Sequence, residues 1–184
     1  MNIRRAVLVC GLAVSVTTVF GAARTALYHP LRQTKLHRVS YSSGTKILFV
    51  YIGSEDCKFS LAPGFAEMVT DAEKAVAEQA KKQGKPFSTL GVSVGPSAKD
   101  GVKYLSRFGE FDQLSSGHGW LNDGALHYVW QDIVGEATVP QIIVLEHDLE
   151  ALNPGYRVKN DRVLVRVLGD KQIAAWHRDG SRIE

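Results

Sequence analysis

The chain has 184 residues, 45% of them hydrophobic and 22% charged, which excludes a disordered polymer and suits one ordinary domain with a short appendage. Its formal charge of +3 is unevenly spread: residues 1–54 carry seven basic residues (Arg4, Arg5, Arg24, Arg32, Lys35, Arg38, Lys46) and no acid. Of the 22 basic residues 15 are then left against all 19 acids, a net of −4, so the domain itself does not read as a nucleic-acid binder.

Arg4 and Arg5 precede the uncharged run AVLVCGLAVSVTTVFGAA, residues 6–23. Its length sits at the lower limit of about 18–20 residues for a membrane-spanning helix. Small residues at Gly21 and Ala23 also fit a cleavable export signal. An uncleaved anchor over residues 1–23 is the preferred reading, with the domain outside the cytoplasm on the periplasmic side. The arginine-bearing, acid-free arm leaves the mitochondrial inner membrane as the alternative. Val9 precedes Cys10 where a lipoprotein signal wants a small residue, so lipidation is not expected. Residues 24–45, with Pro30 and no sustained period, read as a stalk, and residues 46–184 as the domain.

From Lys46 onward, strands and helices alternate. KILFVYI is a continuous apolar run, as expected of a strand covered on both faces. After the turn GSEDCKFSLAP, the residues Phe65, Met68, Val69, Ala72 and Val76 recur at helical spacing. Lys81, Lys82 and Gly84 suit the end of that helix. FSTLGVSV, residues 87–94, predicts a second strand, and residues 98–109 a second helix with Val102, Leu105 and Phe108 inward. Residues 120–133 predict a third helix and residues 141–147 a buried strand. YRVK and RVLVRVL, separated by Asn160-Asp161, predict a hairpin with its turn at that pair. A final helix over DKQIAAWHRDG would be capped by Asp170 and ended by Gly180.

A cysteine at a strand–helix turn (Cys57), Thr138-Val139-Pro140 opening a later apolar strand, a hairpin and a terminal helix together resemble the thioredoxin-like fold, over about residues 45–180. The resemblance implies an α/β architecture, a mixed sheet flanked by helices. It also implies a cis peptide before Pro140 and a substrate platform there facing Cys57. Ser60 stands where a second cysteine would complete a dithiol, and Asp56 where the family has Trp. CKFS is also similar to the CGFS site of monothiol glutaredoxins, but EHDLEALNPG replaces their glutathione-holding residues after the proline strand. A peroxiredoxin pattern needs a proline where Val50 stands, and with Cys57 alone in the domain a two-cysteine copper chaperone is excluded.

The candidate site is therefore Cys57, Ser60 and Pro140: nucleophile, hydrogen-bond donor to the thiolate, and platform. At a helix N-terminus the dipole would favour the thiolate; Lys58 would add to this, and Glu55 and Asp56 would oppose it. His118 and Trp120 in SSGHGW read as a solvated loop pinned by its tryptophan. His127, His147 and His177 lack mutual metal-ligand spacing, and no cofactor is expected. Two functions follow. One is a membrane-anchored single-thiol protein forming mixed disulfides with protein or low-molecular-weight thiols. The other is a redox-inactive accessory subunit or binding module of a membrane complex.

Overall fold

The computed structural model describes residues 43–152 and 156–183. The anchor at 6–23 and the stalk up to residue 42 lie outside the described residues. Among the described residues no helix is long and apolar enough to cross a membrane.

The domain is built on a five-stranded mixed sheet in the order β3-β2-β1-β4-β5. β1 (Gly44–Gly53) lies at its centre, starting two residues before the Lys46 boundary expected from the sequence. It pairs in parallel with β2 (Phe87–Ser93), which pairs in parallel with β3 (Gln113–Ser115). β4 (Gln141–Ala151) runs antiparallel to β1, and β5 (Tyr156–Leu168) antiparallel to β4.

Alternate residues of β1 feed two separate cores. Ile47, Phe49 and Tyr51 pack with helix α1 (Phe65–Lys82), helix α2 (Ala98–Leu105) and the terminal helix. Leu48, Val50 and Ile52 pack with Ala125, Tyr128, Val129 and Ile133 on the opposite face. Each such buried side chain contributes roughly 1.5–3 kcal/mol. β1 is thus gripped from both sides, and its last residue, Gly53, is a firm base for the Cys57 turn.

α1 buries Phe65, Val69, Ala72, Val76 and Ala80, close to the expected stripe. It ends in a Schellman motif: Lys85 N–H donates to Ala80 O, Gly84 N–H to Lys81 O, and Gly84 takes φ 66. α2 is capped by Ser97, whose side chain accepts from Asp100 N–H, and continues as a 3-10 turn over Ser106–Phe108. Its inward residues are Gly101, Tyr104, Leu105 and Phe108, whereas Val102 is exposed. The stripe is centred on Gly101, where a Cβ would come within 2.8 Å of Ser93 Oγ, and a glycine leaves no apolar mark in the sequence.

The expected helix over 120–133 is shorter and less regular. A 3-10 turn at Gly119–Leu121 precedes α3 (Asp123–Ala125), which widens into a π-helical segment, Leu126–Gln131. Asn122 makes the break: its side chain accepts from Ala125 N–H and donates to Ser93 O and Gly119 O.

Asn160-Asp161 is not a turn. β5 is one strand, with Asn160 opposite Asp148 and Asp161 opposite His147, and the hairpin joins β4 to β5. Eleven residue pairs along β4 outweigh the turn preference of two residues, and register shifts beside Leu145 and Leu149 absorb the mismatch. Helix α4 (Gly169–Arg178) begins at Leu168 with no side-chain cap. Asp170 lies inside its first turn, and Leu168 N–H donates to Gln172 Oε1 instead.

Candidate functional site

β1 delivers the chain to a turn in which Cys57 N–H donates to Ser54 O at 3.1 Å. A single helical turn follows, closed by Leu61 N–H on Cys57 O at 3.2 Å. α1 itself starts only at Phe65, behind Gly64 with φ 78. Cys57 is therefore not at the N-terminus of a long helix, since α1 starts eight residues further on.

The peptide before Pro140 is cis, and the half-buried Cys57 thiol donates to Val139 O at 3.6 Å. The loop holding Val139 is fixed from two sides. The buried Gln141 side chain donates to Thr138 O at 2.7 Å, and Gly169 N–H donates to Pro140 O at 2.7 Å. Cys57 opens into a cleft of about 360 Å³ lined by Ser54, Asp56, Lys58, Phe59 and Val139. Lys58 Nζ stands 5.1 Å from the centre of the Phe59 ring, so its charge is partly turned along the rim. Glu55 points away from the sulfur: it accepts from Ser93 Oγ at 2.8 Å and packs on Gly95. Of the two carboxylates expected beside Cys57, only the exposed Asp56 faces the cleft.

Ser60 is fully buried, and its hydroxyl makes no hydrogen bond of standard geometry. The phenols of Tyr51 and Tyr104 are the polar groups that lie against it, joined to each other at 2.7 Å. Burial pushes the Tyr104 phenol up to about 12 and Tyr51 well above its ordinary value, and negative charge on Cys57 would add to both. Sequence reasoning missed the two tyrosines. The available signal was a phenol inside the aliphatic run KILFVYI, because a buried hydroxyl needs a partner.

At the opposite end of β1, His147 and His127 converge on Asp161. His147 Nδ1 meets one carboxylate oxygen, His127 Nε2 lies 3.6 Å from the other, and His127 Nδ1 meets Asp132. Burial holds the His147 imidazole below its ordinary value although Asp161 pulls it the other way. Among the described residues no group of three or more His, Cys, Asp or Glu side chains is arranged to hold a metal ion. Trp120 packs against the second core as the loop reading expects, and His118 is exposed with φ 57.

The strand order, the Cys57 turn after β1 and the cis proline opening β4 together make this an α/β domain of thioredoxin-like architecture. No family model and no curated protein matches the chain. Among solved structures, the C-terminal domain of an uncharacterized protein from Bacteroides fragilis is similar over 74% of this chain and 79% of its own, at 13% identity and a TM-score of 0.40. BsSco, a member of the Sco family of cytochrome c oxidase assembly proteins, is similar over 76% of this chain and 82% of its own. Its identity is 14% and its TM-score 0.35. Likeness at this level does not carry a function across.

Proposed function

We propose that this chain is a membrane-anchored, single-thiol thioredoxin-like protein whose Cys57 enters thiol–disulfide exchange with protein or low-molecular-weight thiols. The observation that supports it is the approach of Cys57 Sγ to Val139 O at 3.6 Å, beside cis-Pro140 and open to a cleft. The Cys57 thiolate attacks one sulfur of a partner disulfide, R–S–S–R′. The Cys57–S–S–R bond forms, the partner's S–S bond breaks, and R′–S⁻ leaves and takes up the proton that Cys57 gave to solvent. No second cysteine stands in the domain, so an outside thiol must attack the mixed disulfide to restore Cys57. Ser60 supplies a hydroxyl to the thiolate, and Val139-Pro140 the wall against which the partner lies.

The experiment is acid-quenched trapping of mixed disulfides from cells expressing the full chain carrying Cys10→Ser, read on non-reducing gels. Adducts are expected with Cys57 intact and absent with Cys57→Ser at unchanged folding. Adducts that persist in Cys57→Ser, or none with either chain, defeat the proposal.

A second reading, a redox-inactive accessory module of a membrane complex, is favoured by Phe59 and Leu61, which are 45% and 40% exposed beside the cysteine. Under that reading Cys57→Ser leaves complex assembly unchanged and no adduct is trapped.

A further inference from the structure

We infer that Tyr51 and Tyr104 are positioning residues for Cys57, acting through Ser60 as a buried column of hydroxyls that supplies a donor when the sulfur carries charge. The inference rests on the thiol reading above. Cys57 and Ser60 stand three apart on the turn closed by Leu61 N–H on Cys57 O, the spacing of neighbours on a helical surface. Ser60 is fully enclosed and its hydroxyl makes no hydrogen bond, a state that buried polar groups seldom tolerate. Tyr51 from β1 and Tyr104 from α2 bring their hydroxyls together against Gly53, the residue from which the Cys57 turn departs.

Donor counting gives the column a direction. One phenol O–H is used in the bond between the tyrosines, which leaves the other free for Ser60 Oγ. The Ser60 O–H is then free for Cys57 Sγ. As a neutral thiol, Cys57 donates to Val139 O. On losing its proton the sulfur can only accept, and the Val139 carbonyl no longer serves it. The Ser60 hydroxyl, backed by the phenols, replaces that contact, and a chain of hydroxyls aligned in one sense strengthens each member. Asp56 and Lys58 line the cleft on the sulfur's own turn, Glu55 is turned to Ser93 on β2, and the Arg107 charge acts on the Tyr104 phenol. None of them is a hydrogen-bonded partner of the sulfur, whose one recorded bond runs to Val139.

The test is the rate of Cys57 alkylation by iodoacetamide against pH, in the full chain carrying Cys10→Ser. Tyr104→Phe should raise the pH midpoint by about half a unit or more, about threefold less thiolate below the midpoint. Ser60→Ala should raise it at least as far, and Tyr104→Phe should then add nothing in the Ser60→Ala background. A tyrosine that only packs would leave the midpoint alone. If Tyr104→Phe does not fold, judged by circular dichroism, Tyr51→Phe carries the same expectation. An unchanged midpoint in a folded variant, or an equal shift with and without Ser60, overturns the column. Ordered shifts without any trapped mixed disulfide would sink the thiol reading and keep the column; trapping without shifts would do the reverse. A sulfur that fails to alkylate up to pH 10 would defeat both.

Discussion

Gly53 shows how closely the cysteine's base is built. A Cβ at this position would lie 2.2 Å from the Tyr104 hydroxyl and 2.7 Å from that of Tyr51. Both rings are buried, Tyr51 completely, and Tyr51 is further held at 4.4 Å from the Phe108 ring centre. Neither phenol can swing aside without displacing the core. Gly53→Ala is therefore expected to cost about 1–3 kcal/mol, the usual range for overpacking. Urea unfolding of the native and variant chains measures it, and an unchanged midpoint would mean that the phenols yield freely. Cys57 and Pro140, the two ends of the candidate site, stand out in the sequence because each is a local signal beside an apolar strand. Tyr51 and Tyr104 do not, since their meeting depends on how α2 lies against β1.

Among the elements, α1 carries a charge out of place. Glu73 lies on its half-buried flank, and burial, reinforced by Asp112, raises its carboxyl to about 7 from an ordinary 4.5. A folded value above the unfolded one means that its contribution is fully present below about pH 4.5 and is lost as pH rises through about 7. His147 on β4 runs the other way: its lowered folded value costs stability as pH falls below the ordinary 6.5. Glu73→Gln should therefore raise the melting temperature at pH 8 and change it little at pH 4.5, as thermal unfolding at the two values would reveal. An equal effect at both would show that the carboxyl is solvated. The same scale explains where the sequence misleads. Asp161 reads as half of a turn when met in order, yet in β5 its carboxylate is bonded to His147 and lies 3.6 Å from His127 Nε2. Long pairing decides such positions, and pairing partners far along the chain leave no local trace.

At the scale of the whole molecule, the chain enters the described domain at the end of β1 remote from Cys57, since the strand runs from Gly44 to the Gly53 base of the turn. Six of the seven cations of residues 1–54 and the uncharged run at 6–23 precede β1, and the sequence after residue 54 carries a net charge of −4. An apolar run of this length with flanking arginines is stable in a bilayer only while its centre stays uncharged. We expect the full chain to stay with the membrane fraction after carbonate extraction. Leu12→Arg with Val16→Arg should release it, because each central arginine adds about 2.5–3.5 kcal/mol against insertion. Release of the intact, unaltered chain would count against an anchor, and recovery of a chain shortened near Ala23 would assign the run to export instead. Retention of both chains would place the attachment in the domain, where the exposed Phe59, Leu61, Leu121 and Trp130 would then be the residues to change.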